Sequence, residues 1–384
     1  MSLVQPAAEF DRAELAKRQL LPANYLRLDD EEMDRRITEA KCALGSRLLI
    51  LGHHYQRDEV IKFADVTGDS LKLSQYAASH QQAEFVVFCG VHFMAESANV
   101  LGAAHQKVML PDLAAGCSMA DMAAIDQLET CWDEMYELDP RLASGASSIT
   151  PITYINSAAA IKGFCGSHNG FVCTSSNASA IMARAWDRAD RILMLPDQHL
   201  GRNTAFRMGV PLDEMVLWDP DLPQGGVSAA DFARARLVLW KGHCSVHTRF
   251  SVAQVERFRT VHPSGKVIVH PECTFEVMQA ADEVGSTDFI IRTVKASAPG
   301  SVWAVGTEIH LVDRLAAGVA PDRLVMTLDS VGCLCSTMFR ISPNHLLWTL
   351  DGLVAGEVRN QIVVPEPTRT NARVALNRML ECRP

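Results

Sequence analysis

The chain has 384 residues, of which 48% are hydrophobic and 21% are charged, a composition typical of folded globular proteins. That length is sufficient for two or three domains with cores of their own. The formal net charge of −9 argues against nucleic acid or an anionic membrane as the main partner, because both bind basic surfaces. An anionic small molecule stays possible where local loops neutralise it.

The first residues, MSLVQPAAEFDRAEL, mix acidic and apolar side chains and lack the basic and apolar segments of a secretion signal. No apolar run approaches the roughly 18 residues that span a bilayer. We therefore expect a cytoplasmic protein without a membrane partner. In that reducing compartment the eleven cysteines are not expected to form disulfides, so metal binding, redox chemistry or core packing must account for them.

Apolar, strand-like runs alternate with helical patterns along the chain, which predicts an α/β fold with parallel sheets. The charged segment DDEEMDRRITEAKCAL predicts a helix before the first strand, and residues 128–148 predict a helix followed by a Ser/Gly-rich surface loop. The closing segment VPEPTRTNARVALNRML predicts an amphipathic helix after a proline-marked connection. The predicted strands are RLLILG, FVVFCGV, KVMLP, ITYIN, GFVCTSS, RILMLP, RLVLWKG, KVIVHP, DFIIRTV, VWAVGT and RLVMTL.

The strands fall into groups. The segment KVMLPDL is echoed by RILMLPDQ, which suggests that one strand-and-loop unit is reused and favours a duplicated or triplicated sandwich domain over one large sheet. We place α/β domains at 45–118, 119–246 and 247–350. An N-terminal helical extension (1–44) precedes them, and a C-terminal tail and helix (351–384) follows and packs on the body.

Three lone cysteines each follow a strand-like run, and each lies near the end of one predicted domain. They are Cys117 in LAAGCSMAD, Cys244 in KGHCSVH and Cys335 in CLCSTM. Three loops that converge on one metal centre would supply three thiolates and leave a coordination position open for substrate, as catalytic metal sites require. Free cysteines also pack commonly as small buried hydrophobes, so the prediction depends on the polar residues in comparable loops.

Ligands of parallel α/β sheets bind beyond the carboxyl ends of the strands, and the residues at those positions are unusually polar here. The candidates are His53, His54, Tyr55, Ser70, Tyr154, Asn156, Thr174, Ser175, Ser176, His270, Glu272, Cys273, Ser286 and Thr287. Hydroxyls at a helix N-terminus can hold a phosphate or a carboxylate without net positive charge. Each candidate alone has an ordinary explanation as a helix cap, a turn or a surface histidine. Their combination predicts a site.

At these residues the sequence resembles the quinolinate synthases, the iron–sulfur enzymes of de novo NAD synthesis. The motifs run in order along most of the chain. They are GHHYQ, GDSLKLS, VVFCGVHFMAESA, LPDLAAGCSMAD, YINSAAAIKG, CTSSNA, LPDQHLGRN, GHCSVH, HPEC, VGST, VGTE and CSTM.

The resemblance implies three pseudo-equivalent α/β/α sandwich domains with parallel sheets around a central active site. It also implies a [4Fe–4S] cluster that is held by one cysteine from each domain and keeps one iron open. Matched motif by motif, the ligands are Cys117, Cys244 and Cys335. Cys333 lies two residues from the third ligand, and Cys335 is preferred because it heads the C-x-x-M pattern.

The implied reaction is the condensation of iminoaspartate with dihydroxyacetone phosphate to give quinolinate, phosphate and two waters. The open iron would act as a Lewis acid. The resemblance makes Glu272 the acid–base residue, and it leaves coupling to an L-aspartate oxidase open. Tyr55, His53, His270 and Tyr154 would orient the intermediate or relay protons, and Ser70, Asn156, Ser175 and Thr287 would hold the phosphate or carboxylates. The expected substrate contacts also include His53, Tyr154, His270 and Glu272. His247 lies close in sequence to the expected cluster ligand Cys244.

Two other classes of protein compete with this interpretation. A zinc hydrolase would use His53, His54, His270 and Glu272, but adjacent side chains such as His53 and His54 diverge on an extended segment. A non-catalytic iron–sulfur sensor would use the three cysteines. It would leave Glu272 and the hydroxyl-rich loops without a role, and the sequence shows no basic DNA-binding element.

Overall fold

The computed structural model describes residues 21–80, 82–329 and 331–382. Residues 1–20, which include the segment used to judge the secretion signal, lie outside the described residues. Within the described part of the chain, no helix is long and apolar enough to cross a membrane.

The strands of the described residues form three sheets. The first has the order β14-β4-β3-β1-β2, the second β6-β5-β7-β9-β8 and the third β11-β10-β12-β13. All neighbouring strands are parallel except β14, which pairs antiparallel with β4. The strands are β1 (Leu48–His53), β2 (Val66–Gly68), β3 (Phe85–Cys89), β4 (Lys107–Met109), β5 (Ile149–Tyr154), β6 (Phe171–Cys173), β7 (Arg191–Leu195), β8 (Met215–Trp218), β9 (Leu237–Trp240), β10 (Lys266–Val269), β11 (Glu283–Val284), β12 (Val302–Gly306), β13 (Leu324–Thr327) and β14 (Gln361–Ile362).

Helices connect the parallel strands and flank the sheets, as crossover connections between parallel strands require. They are α1 (Ala23–Leu26), α2 (Asp30–Leu44), α3 (Asp58–Ile61), α4 (Ser70–Ser79), α5 (His92–Leu101), α6 (Ile125–Leu138), α7 (Arg141–Ser144), α8 (Ala159–Ser167), α9 (Ala178–Trp186), α10 (Gln198–Arg207), α11 (Ala229–Arg234), α12 (Val252–Val261), α13 (Phe275–Ala280), α14 (Thr287–Ala296), α15 (Ile309–Val319), α16 (Ser336–Phe339), α17 (Pro343–Val354) and α18 (Thr368–Glu381).

The three sheets share one strand order. In each sheet the first strand along the chain lies between the second and the third, and a later strand pairs with the third on its far side. That later strand is β4, β9 or β13, and the second sheet carries β8 as an additional edge strand. The arrangement confirms the expected α/β fold with three related parallel units. The exact domain boundaries stay predictions.

Two expectations about individual segments are wrong. The run DFIIRTV is part of helix α14, because the Ser286 side chain caps the helix and the buried residues Thr287, Ile290 and Val294 recur at helical spacing. The two Leu-Pro-Asp segments follow β4 and β7, which are non-equivalent strands of their sheets, so they do not mark a reused unit. The repeat lies in the order of the strands.

The C-terminal segment joins the first two sheets. Strand β14 extends the first sheet, and α18 packs against α8 and β6 through Ala372, Ala375, Leu376 and Met379. At its end, the Asn177 amide nitrogen donates to the carbonyl oxygens of Met379 and Cys382, each at 3.3 Å. The Asn177 Oδ1 accepts from the Thr174 backbone N–H at 2.8 Å, so the last helix holds the loop that follows β6.

We expect Gly166→Ala to destabilise the protein, because a Cβ at this position would lie 1.9 Å from the Asn371 carbonyl oxygen and would push α18 away from α8. Overpacking of this kind lowers the free energy of unfolding by about 1–3 kcal/mol. The matched control is Gly318→Ala in α15, where an added Cβ meets no atom within 4 Å. That control is expected to leave stability unchanged or to raise it by up to about 1 kcal/mol. Urea unfolding measures the stability of both variants. Equal changes in the free energy of unfolding for Gly166→Ala and Gly318→Ala would contradict the proposed packing role of Gly166.

Candidate active site

The loops at the carboxyl ends of the three sheets meet around one cavity of about 660 Å³, counted with its open mouth. Of the candidates from the sequence, Thr174 belongs to the described lining of this cavity, whereas His54, Ser176, Cys273 and Ser286 are absent from it. All the residues to which the resemblance assigns catalysis, substrate binding or metal ligation line the cavity. They are His53, Tyr55, Ser70, Cys117, Tyr154, Asn156, Ser175, Cys244, His270, Glu272, Thr287 and Cys335. The structure thus brings them together, and their individual roles stay predictions.

Equivalent loops of the three sheets supply equivalent parts of the lining. The ends of the first strands and the loops that follow them carry His53, Tyr55, Tyr154, His270 and Glu272. The segments after the second strands carry Ser70, Ser175 and Thr287. The loops after β4, β9 and β13 carry Cys117, Cys244 and Cys335. Because the strand order repeats, each sheet delivers at least one hydroxyl and one thiol to the same space.

The three thiols are half-buried in a lining that contains no lysine or arginine among its described residues. Burial raises the pKa of Cys117 to about 12, and it raises the pKa of Cys244 and Cys335 as well. None of the described residues that line the cavity is a lysine or an arginine. Three protonated thiols at one place fit a metal centre, which supplies the positive charge that replaces their protons. The residues present therefore suit an iron–sulfur cluster.

Cys333 has a different environment from Cys335. Its thiol is buried and donates to Asp329 Oδ2 at 3.2 Å, and it is absent from the described lining of the cavity. Cys335 reaches the cavity from the N-cap position of α16. The geometry supports the preference for Cys335, which was based on its C-x-x-M pattern.

Glu272 is the buried carboxylate of the site. Its Oε2 lies 2.6 Å from His247 Nδ1 and 3.7 Å from His270 Nδ1, and the two imidazole rings stack with centroids 4.4 Å apart. Burial opposes ionisation of Glu272, but His270 and His247, which attract the carboxylate when they are protonated in acid, and hydrogen bonding to the carboxylate outweigh burial and lower the pKa of this carboxyl. Glu272 is therefore ionised at neutral pH and available as a proton acceptor.

Two histidines of the cavity, His53 and His270, and both of its tyrosines are uncharged near neutral pH. Burial lowers the pKa of His53 and of His270 to about 3, and it lowers the pKa of His54, which lies outside the described lining, to about 4. Burial, followed by the charge of Glu272, raises the pKa of Tyr55 and Tyr154 well above its usual range. Both phenols consequently keep their hydrogens and can donate them.

The zinc set considered from the sequence is not assembled. His54 is absent from the described lining of the cavity, although His53, His270 and Glu272 belong to it. Among the described residues, the side chains whose possible ligand atoms come within 4.8 Å of one another are Cys244, His247 and Glu272. The hydrolase interpretation therefore lacks its four-residue site.

Contacts between loops of different sheets hold the cavity walls in place. Arg314 of α15 donates to the carbonyl oxygen of Gln56 at 2.8 Å and to that of His54, so the third unit fixes the GHHYQ loop. Ser176 Oγ donates to Asp69 Oδ2 at 3.1 Å, which joins the loops after β6 and β2.

Sequence reasoning missed several residues of the site's surroundings. Thr307 directly follows β12 and contacts Tyr55, and Asp197 follows β7 and caps α10. Both occupy strand ends, so the rule that singled out the other candidates could have found them. Arg314 lies inside a helix and carries no comparable signal in the sequence.

Comparisons with known proteins agree with this geometry. A family model described as quinolinate synthetase A protein matches residues 35–381. The quinolinate synthase of Acidobacterium capsulatum is 56% identical over 361 residues, covering 94% of this chain and 95% of the relative. The quinolinate synthase of Corynebacterium glutamicum is 51% identical, and the match covers 97% of this chain and 93% of the relative. That of Herpetosiphon aurantiacus is 53% identical, and the match covers 93% of this chain and 94% of the relative. The matched region includes every loop that lines the cavity.

We expect the stability of the metal-free protein to fall as the pH is lowered from 7.5 to 5. The pKa of buried His53 is about 3 in the folded protein, below the value of about 6.5 expected in the unfolded chain. The unfolded chain therefore binds the proton first. His53 therefore makes its full contribution to the free energy of unfolding above about pH 6.5. Below that pH the contribution decreases by up to about 1.4 kcal/mol per pH unit.

Urea midpoints at several pH values measure this dependence. His53→Asn should reduce the slope of stability against pH, whereas His105→Asn at an exposed position should preserve it. The prediction would be contradicted if the stability of His53→Asn depended on pH as steeply as the stability of the parent protein does.

Proposed function

The chain belongs to the quinolinate synthase family, and on that premise we propose that it condenses iminoaspartate with dihydroxyacetone phosphate. The products are quinolinate, one phosphate and two waters, which makes the protein a transferase. The observation that carries the proposal is that one cavity brings together three thiols, an ionised carboxylate, the neutral side chains of His53, His270 and two tyrosines, and a set of hydroxyls.

Cys117, Cys244 and Cys335 would hold a [4Fe–4S] cluster with one iron free of protein ligands. When bound, such a cluster supplies a Lewis acid that binds substrate oxygen and assists its departure. Three cysteine ligands leave room for this role, because a fourth would close the coordination sphere.

Neutral donors would bind the anionic groups of the substrates. Ser70 and Thr287 are the first residues of α4 and α14, where backbone N–H groups without helical partners favour phosphate or carboxylate. Ser175 adds a hydroxyl from the loop that precedes α9. Asn156 Oδ1 is buried without a hydrogen-bond partner, so it can accept a hydrogen bond from a substrate N–H or O–H group.

Glu272 would accept and return the protons that the condensation and dehydration steps require. Burial and the neighbouring charge of Glu272 raise the pKa of Tyr154, which keeps its phenol a donor. His53 and His270 are neutral and can orient the intermediate through their ring nitrogens. Burial of this group of side chains excludes water from a reaction that itself releases water.

We also propose a cytoplasmic location and a functional link to an L-aspartate oxidase. All eleven cysteines are free, which suits a reducing compartment. The link rests on the chemistry of the substrate, because an imine hydrolyses readily and benefits from rapid transfer from the enzyme that forms it.

Metal analysis tests the cofactor. We expect about four irons and four acid-labile sulfides per chain in protein purified without oxygen. Cys117→Ala, Cys244→Ala and Cys335→Ala should each lose this content, because each removes one of three ligands. Cys333→Ala is the matched control, since its thiol is buried beside Asp329 outside the described lining.

Two results of that analysis would change the interpretation. Loss of iron in Cys333→Ala but not in Cys335→Ala would move the third ligand to Cys333. A parent protein that stays colourless or contains zinc after reconstitution would overturn the synthase proposal and favour a hydrolase.

Glu272→Gln tests the acid–base role. The variant is expected to keep its iron content and to lose at least about 100-fold in turnover, because an amide cannot accept the proton. Glu276→Gln removes an exposed carboxylate four residues further on and should retain the parental rate. Full turnover of Glu272→Gln with an intact cluster would remove Glu272 from this role.

A further inference from the structure

Asn203 of α10 contacts the backbone on both sides of Glu272. Its Nδ2 donates to the carbonyl oxygen of Pro271 at 2.9 Å and to that of Cys273 at 2.7 Å. Asn203 belongs to the second unit, whereas Glu272 follows β10 of the third. The Asn203 side chain is fully buried, so water does not compete for these two hydrogen bonds. A side chain of the second unit therefore holds the Glu272 segment (residues 271–273) of the third.

The packing of α10 fixes the place of Asn203. At the start of the helix, Asp197 Oδ1 accepts from the His199 backbone N–H at 2.7 Å and caps the helix. Gly201 lies so close to β9 that an added Cβ would come within 2.5 Å of Leu239 Cδ2. Because α10 is held tightly on its own sheet, the Asn203 amide presents its hydrogens to the Glu272 segment from a fixed position.

One face of α10 contacts the third unit at three places. Asn203 binds the Glu272 segment, Phe206 packs edge-on against α13, and Arg207 Nη1 donates to the carbonyl oxygen of Val284 in β11 at 3.0 Å. Residues three and four positions apart share a face of a helix, so the three contacts belong to one interface. Of these three, Asn203 is the residue that touches the immediate neighbours of Glu272.

The choice of an amide at this position is unfavourable for stability in one respect. Asn203 Oδ1 is buried, and it has no hydrogen-bond partner among the described residues. An unpaired buried acceptor has a free-energy cost that leucine, with about the same shape, would avoid. What the amide offers in return is a pair of hydrogens on one nitrogen, which matches the carbonyl oxygens of Pro271 and Cys273. The two donors are therefore the property that distinguishes Asn203 from an apolar residue.

We propose that Asn203 is a positioning residue, which fixes the Glu272 segment against the second unit and thereby places the carboxylate for proton transfer. This inference rests on the proposed function, in which Glu272 accepts and returns protons. Tyr154 and Asn156 line the same cavity and belong to the second unit, as Asn203 does. The two hydrogen bonds thus keep Glu272 at a constant distance from the groups that would hold the substrates. A shift of about 1 Å is enough to lower the rate substantially.

Asn203→Leu removes both donors and keeps the shape of the side chain. It should lower kcat about 10- to 100-fold, because the carboxylate is no longer held in its working position. KM should change little, since Asn203 is absent from the described lining of the cavity. Iron content and the urea midpoint show whether the variant binds its cluster and folds. Asn203→Asp, which keeps the size and polarity but offers at most one donor hydrogen, should also lower kcat and serves if the leucine variant loses its fold.

Arg207→Leu is the matched control. Arg207 is exposed and lies one turn further along the same face, where it contacts β11 rather than the Glu272 segment. This variant loosens the same interface and should keep kcat near the parental value. Parental kcat in Asn203→Leu would overturn the proposal. An equal loss of kcat in Asn203→Leu and Arg207→Leu would overturn it as well, because the effect would then belong to the interface as a whole.

Backbone hydrogen exchange, followed by mass spectrometry, tests the positioning without turnover. The amides of residues 270–275 should exchange faster in Asn203→Leu than in the parent, because the segment opens locally more often. They should exchange at the parental rate in Arg207→Leu. Parental exchange in Asn203→Leu would show that the amide does not hold the segment and would reject the proposal.

The exchange experiment separates this inference from the proposed function. If the cluster-containing parent does not form quinolinate, the proposed function fails, and the part of Asn203 in proton transfer fails with it. Faster exchange in Asn203→Leu would still support its hold on the Glu272 segment. If the parent forms quinolinate and Asn203→Leu does so equally fast, the function stands and the role of Asn203 alone is rejected.

Discussion

Burial and the buried charge of Glu272 together raise the pKa of the acidic groups around this carboxylate. Its carboxylate is only 2% exposed, so its field is weakly screened by water. After burial itself, this charge is the main cause that raises the pKa of Tyr55, Tyr154, Cys244, Cys273 and Asp197. One ionised acid thus keeps its acidic neighbours protonated. Glu272 is then an ionised proton acceptor beside protonated thiols and phenols, which is a distribution that acid–base chemistry can use.

The repeated strand order explains how so many polar groups are buried together. Each parallel sheet directs its loops to one edge, and three sheets with the same order direct three such edges at one space. Polar side chains in that space would be unfavourable without partners, and contacts between units supply several. Arg314 binds carbonyl groups of the GHHYQ loop, and Asn177 connects the end of α18 to the loop after β6. The cavity therefore depends on the correct assembly of the whole chain.

The sequence predicted the residues that line the cavity better than the contacts that hold this lining in place. Residues at strand ends could be recognised because the apolar runs of β1, β5 and β10 are clear and the polar residues follow them directly. The two-residue strands β11 and β14 carry too little apolar pattern to be found, and DFIIRTV is rich enough in β-branched residues to be mistaken for a strand. Arg314 and Asn177 act across long sequence separations, and local patterns contain no information about such contacts.

Charge balance links the cavity to the overall composition of the chain. The protein carries a formal net charge of −9, and the described lining of its cavity includes Glu272 but no lysine or arginine. Under the proposed function, two anionic substrates must enter this space and three thiols must lose their protons there. Hydroxyls, amides and helix N-termini can solvate anions, but they cannot balance this much negative charge in a medium of low dielectric constant. An open iron of a bound metal centre would offer a local positive charge to a substrate oxygen, which connects the three cysteines that would hold the centre to substrate binding as well as to the chemistry.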